Sequence, residues 1–279
     1  MSFFKFLFPL IIILNISYTH GEDKAKEQSS HDSENSHLKD LKTTSKLLLR
    51  GSYLQFTKPH TIAVAAASVF TIWLISNNDK KLLRQWGGHS PSDTVEFLGN
   101  PTAVMLNLPV LPLSLYEWSR AHDNTKLYNF TLEYTATLYL TLGETFLLSS
   151  IPFHKRPDSS GLTFFERTFR LRSSFPSGHM AGVSSLFFKT LQYYGPLMAT
   201  APLALTVITA MQRLQSHRHW PSDVFGTFFL AYLASEGTRI AHNKPEHYDR
   251  LYRFIYQHQF TLSPAVSTDG AQALISLSF

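Results

Sequence analysis

Two arginines, two histidines, a serine and an aspartate stand in three separate stretches of this chain, and together they could grip and transfer a tetrahedral oxyanion. The stretches are Arg156-Pro157, Pro176-Ser177-Gly178-His179, and Gln212-Arg213 running through His219 to Asp223. An arginine offers a planar fork of N–H donors that suits phosphate oxygens. A helix that starts just after Ser177 and Gly178 would present free backbone N–H groups and a positive dipole end to the same anion. Gly178 would let the backbone approach closely, and Ser177 could donate its hydroxyl. Asp223 follows His219 by four residues and Pro221 by two, so a helix beginning at Pro221 puts the carboxylate in its first turn, within reach of the imidazole. A carboxylate on one ring nitrogen fixes the tautomer and leaves the other free to attack. His179 could then serve as the general acid on the leaving oxygen.

The elements that must position these groups are helices. Apolar runs of helical length cover residues 61–76, 102–118, 128–150, 177–194, 197–215 and 221–241, with Pro109 and Pro112 breaking or kinking the second and Gly195-Pro196 separating the fourth from the fifth. About six helices and little strand signal predict an all-α helical bundle. Residues 259–267 and 271–279 alternate weakly around Thr268-Asp269-Gly270, and predict a short C-terminal β-hairpin.

Residues 1–20 look like an export signal, with Lys5 ahead of an apolar run from Phe6 to Leu14. Residues 21–46 are polar and charged and suggest a flexible tether; residues 47–250 form the helical domain, and 251–279 the tail with the hairpin. Residues 77–93 suggest a polar loop. The formal charge of +5 and the pI near 9.3 come from scattered basic residues. That pattern suits anionic small molecules or a membrane surface and argues against a nucleic-acid partner. No cysteine is present, which excludes disulfides and thiolate metal sites. Only twelve uncharged residues separate Asp223 from Glu236, short of the roughly 20 that a span needs. The expectation is a compact exported domain, periplasmic or in the envelope and associated with a membrane, with a six-span integral arrangement as the alternative.

The three stretches, in this order, resemble the three-part motif of the type 2 phosphatidic acid phosphatase (PAP2) superfamily, which also contains bacterial acid phosphatases and vanadium haloperoxidases. The likeness covers roughly residues 128–241. It implies a helical bundle that hydrolyses phosphate esters without metal or other cofactor. By that resemblance His219 is the nucleophile that forms a phosphohistidine, Asp223 orients it and His179 protonates the leaving group. Arg156, Ser177, Gly178 and Arg213 hold the phosphate, and the partner is a phosphorylated small molecule or lipid. Two positions depart from the pattern. Ser149 stands where the first motif begins with lysine, and Gln212 where serine usually precedes the third-motif arginine. The missing lysine removes a charge-assisted contact worth about 1.5–3 kcal/mol; the adjacent Lys155 would point elsewhere. A haloperoxidase-like use of the same pocket for vanadate, and a non-catalytic phosphate-binding relative, are the alternative readings. Arg167, Arg170 and Arg172 suggest an exposed basic loop or a lid, His217 and Arg218 a solvated loop. Glu133 and Glu144 suggest interhelical polar contacts or a solvated face.

Overall fold

The computed structural model describes residues 26–152, 154–158, 173–257, 260–267 and 270–277. The export signal at residues 1–20, the arginines at 167, 170 and 172 and the hairpin turn at 268–269 lie outside them. The chain divides into two compact units, residues 1–42 and 43–279. In the first, the described backbone is helical: α1 spans Lys26–Leu54 and crosses the boundary. The flexible tether expected through residue 46 is therefore helical from Lys26 onward.

Eight further helices carry the second unit to the end of its core. They are α2 Pro59–Ser76, α3 Asp79–Trp86, α4 Asp93–Gly99, α5 Pro101–Asn107, α6 Val110–Ala121, α7 Thr125–Ser149, α8 His179–Gln215 and α9 Pro221–His242. A 3-10 turn at Pro245–His247 and α10 at Arg250–Gln257 follow. The fold is all-α, as its periodicity predicts, although the helices are more numerous than six. The segment read as a polar loop contains α3, in which charged residues flank Leu82 and Leu83 and Leu83 is buried. Proline does break the run at residues 102–118, since α5 ends at Asn107 and α6 restarts behind Pro109. In α8, Gly195 takes a left-handed φ of 81° that an L side chain rarely adopts, and Pro196 follows it; the two apolar runs meet there in a kink. The last two strands, β1 Phe260–Ser267 and β2 Gly270–Leu277, pair antiparallel with Phe260 opposite Leu277.

The long helices α7, α8 and α9 pack on one another and form the centre. Helices α4 and α5 lie against α8, α6 against α7, α2 against α9, and α3 against both α8 and α9. One apolar cluster gathers Leu83, Ala103, Met180, Val183, Leu214 and Val224 at the end where α8 finishes and α9 begins. A second gathers Phe130, Tyr134, Leu138, Tyr193 and Tyr248 at the other end. Beside the second cluster lies a buried ionic network. Lys189 Nζ sits 2.7 Å from Glu133 and also donates to Gln192 Oε1 and the Ser235 carbonyl. The Tyr193 and Tyr248 hydroxyls each donate to Glu133 at 2.7 Å, and His242 lies at the same distance. Glu133 is thus an interhelical polar contact. Burial alone would raise its pKa, but Lys189 and His242 outweigh that and hold it down to about 2. Glu144 accepts from Gln55, and its burial pushes it up to about 7.

By length and composition, α2 and α8 could each cross a membrane. Ile62, Val69, Phe70 and Trp73 on α2 are exposed, as are Leu197, Met198, Leu203 and Val207 on α8.

Candidate active site

Three junctions meet beside the first apolar cluster: the segment after α7, the start of α8, and the loop from α8 into α9. The loop is folded by its own backbone. The N–H groups of Arg218 and His219 return to the Arg213 carbonyl at 3.0 and 3.4 Å, and His217 turns the chain with a φ of 51°. Pro221 then opens α9, and Asp223 Oδ2 accepts the Trp220 N–H at 2.8 Å, closing the first turn. Asp79, at the start of α3, braces this turn by accepting from the Ser222 N–H at 2.9 Å and its hydroxyl at 2.5 Å. The start of α8 is tied to the same turn, because the Ser177 N–H donates to the Asp223 carbonyl at 3.2 Å and Thr227 donates to the Ser177 carbonyl at 2.9 Å. Asn107 on α5 holds both the Gly178 carbonyl, at 3.1 Å, and the Gly182 N–H, at 2.8 Å.

His219 is buried between Asp223 and Arg156. Its Nδ1 lies 3.3 Å from Asp223 Oδ2, and its Nε2 lies 3.3 Å from a guanidinium nitrogen of Arg156. A guanidinium can only donate, so Nε2 is the accepting nitrogen and Nδ1 carries the hydrogen that faces the carboxylate. The ring is therefore in the tautomer whose Nε2 lone pair can attack. Burial is the main cause that lowers the His219 pKa to about 4; Asp223 opposes it, while Arg156 and Arg213 reinforce it. The ring is neutral at neutral pH.

His179 opens α8 and shares this electrostatic neighbourhood. Burial pushes its pKa well below the ordinary value, and the charges of Arg213, His219 and Arg156 push the same way. A phosphate dianion among the two guanidiniums opposes that pressure and favours the imidazolium. His179 Nε2 and Ser177 Oγ are buried and make no hydrogen bond among the described residues. A Cβ built on Gly178 would meet nothing within 4 Å, so the backbone there borders open space. Arg213 is buried, and its Nε donates to Gln212 Oε1 at 2.5 Å; Gln212 in turn donates to Glu96 at 2.6 Å. The departure at Gln212 thus supplies a brace for the arginine behind it.

All seven residues singled out by spacing come from these three junctions. Others do not join them. Ser149 is buried and returns its hydroxyl to the Thr145 carbonyl, and Lys155 is exposed. His217 is exposed, while the Arg218 carbonyl accepts from Arg156 at 3.2 Å. Spacing also missed residues. His154 Nδ1 lies 2.7 Å from Asp223 Oδ1, closer than His219 comes to the other oxygen. Ser174 donates to the same Oδ1 at 3.3 Å. Asp79 and Glu96 belong to short helices far upstream, and no periodic signal links them to the loop. Asp223 consequently keeps its charge: burial would raise its pKa, but the bonds from His154 and His219 hold it at about 2.

Residues 130–245, which hold all three junctions, match the model of the PAP2 superfamily. This segment is similar to the PAP2 superfamily. No significant match is found among curated proteins or solved structures. The matched segment runs from within α7 to the first residue of the 3-10 turn, so the helices that brace it from outside, α3, α4 and α5, lie before it. The match suggests phosphatase-type activity of the kind found in that superfamily, whose substrates are phosphorylated small molecules or lipids.

Proposed function

We propose that the protein is an exported phosphatase that hydrolyses phosphate esters through a phosphohistidine, and that its substrates carry an apolar group on the leaving oxygen. The observation that carries the catalytic part is the line Asp223–His219–Arg156, which fixes the tautomer of a neutral, buried imidazole beside two arginines. Phosphate held by Arg156, Arg213, Ser177 and the backbone at Gly178 receives the Nε2 lone pair of His219. The P–N bond forms as the P–O ester bond breaks, and His179 gives its proton to the departing alkoxide. Water then gives a proton to His179, attacks phosphorus and breaks the P–N bond. Inorganic phosphate leaves and the neutral His219 is restored. The guanidiniums and helix-start N–H groups stabilise the charge that builds on the equatorial oxygens.

An apolar cavity of about 350 Å³ supports the choice of leaving group. Its wall includes Met180, Leu214, Pro221 and Val224. These residues lie one or two positions from His179, Arg213, His219 and Asp223. Ala210, Val207 and Phe228 extend the wall along α8 and α9. The exposed apolar residues of α2 and α8 suit a protein that works at a membrane, where such substrates reside. The test is phosphate release by the purified protein from lipid-linked and soluble esters, with His219→Ala as control. Full hydrolysis by the alanine protein would exclude the phosphohistidine. Added vanadate should inhibit; vanadate that instead switched on halide oxidation by peroxide would place the protein with the haloperoxidases.

A further inference from the structure

Asp223 is gripped on both carboxylate oxygens, and by different partners. Oδ2 receives the Trp220 N–H and faces His219, while Oδ1 faces His154 at 2.7 Å and receives Ser174 at 3.3 Å. His154 is itself held. Its Nε2 lies 3.7 Å from Asp79 Oδ2, its ring lies 6.0 Å from that of Trp220, and its carbonyl accepts from the Ser174 N–H at 2.8 Å. Two carboxylates and two imidazoles thus alternate in one line: Asp79, His154, Asp223, His219. The reacting end is buried, whereas the His154 side chain is 27% exposed.

We propose that His154 is a positioning residue for the phosphatase reaction: by bonding Oδ1 it fixes the rotation of the Asp223 carboxylate, so that Oδ2 stays within hydrogen-bond reach of His219 Nδ1. The proposal rests on the reading of His219 as nucleophile. A carboxylate bonded on one oxygen only can turn about its Cβ–Cγ bond, and that rotation swings its second oxygen away from Nδ1. Trp220 and Ser174 restrain the turn at 2.8 and 3.3 Å; the His154 bond, at 2.7 Å, is the shortest of the set. The charge of His154 has a further effect. Burial disfavours its cation, but Asp223 and then Asp79 outweigh this and raise its pKa, which favours a cation on the far side of Asp223. That cation weakens the pull of Asp223 on a proton at His219.

The experiment compares His154→Phe, which keeps a ring without a donor, with His154→Asn, whose amide nitrogen takes the place of Nδ1. With a chromogenic phosphate monoester, the Phe protein should lose about tenfold in kcat, with KM changed by less than about twofold. The Asn protein should recover to within about threefold of the parent. If the Phe protein does not fold, His154→Gln replaces it, because its amide sits where Nε2 was and leaves Oδ1 without the bond. The second readout needs no turnover: the His219 ring is titrated by NMR, and its midpoint should rise in both neutral variants. Unchanged kcat in the Phe protein, an Asn protein as slow as Phe, or an unmoved His219 midpoint would each overturn the proposal. If the parent protein hydrolyses no phosphate ester, the phosphatase reading fails by itself, and the titration alone decides whether His154 acts on His219 through Asp223.

Discussion

Replacing Asp223 by asparagine should be far milder than replacing it by alanine, and the four donors around the carboxylate give the reason. An amide has one accepting and one donating end. The Trp220 N–H, 2.8 Å from Oδ2, can never accept, so the amide oxygen must turn to that side and the amide nitrogen to the other. On the other side stand Ser174, whose hydroxyl can rotate to accept, and His154, whose ring can change tautomer. His219 therefore keeps an acceptor for Nδ1 and its reactive tautomer, and loses only the negative charge. A hydrogen bond to a charged acceptor exceeds a neutral one by about 1–1.5 kcal/mol, which is about tenfold in rate. Alanine leaves the Trp220 N–H without its cap and frees the His219 ring to take the wrong tautomer, a loss on the order of 10³–10⁴ in kcat. The assay is kcat on a phosphate monoester for both variants, with thermal denaturation to show that each is folded. An asparagine protein as inactive as the alanine protein, with both folded, would refute the assigned direction of the donors.

The neutral His219 predicts a pH profile in which kcat/KM rises with pH through about 4, since the ring must lose its proton to attack; a rise near 6.5 instead would mean that burial does not control it. Ala210→Phe, which fills the apolar cavity, should abolish hydrolysis of lipid-linked phosphates while soluble monoesters are still cleaved at nearly the parent rate; equal losses on both would separate the cavity from substrate choice. Lys189→Met breaks the buried pair with Glu133 and should cost about 3–5 kcal/mol of stability in urea denaturation, with kcat per folded molecule unchanged. Glu144 titrates higher folded than unfolded, so the folded state binds the extra proton and stability falls as pH rises from about 4.5 to about 7; Glu144→Gln should raise the melting temperature at pH 8 and not at pH 4.

The contact between His219 and Asp223 was legible because it is local. His219, Pro221 and Asp223 sit in one turn, and the capping preferences of a helix start are enough to bring the carboxylate to the ring. The breaks at Pro109 and Gly195 were legible for the same reason, since they are properties of single residues. The length of α1 was misread because polar composition signals solvent exposure and not the absence of a helix. Helix α3 was missed because eight residues carry too little periodicity to stand out from a polar loop.

The sequence by itself determined the all-α class, the three motifs and their likeness to the PAP2 superfamily, because each depends on residues within a turn or two of one another. Only the tertiary structure decided what stands behind them. It brought Asp79 from α3 and His154 from the segment after α7 onto the line that reaches His219, and it set Glu96 and Gln212 behind Arg213. It also closed Lys189 over Glu133, 56 residues away in the chain, in a core where neither could be charged alone. Such contacts join residues far apart in the chain, and their energies depend on burial, which no spacing in a sequence reports.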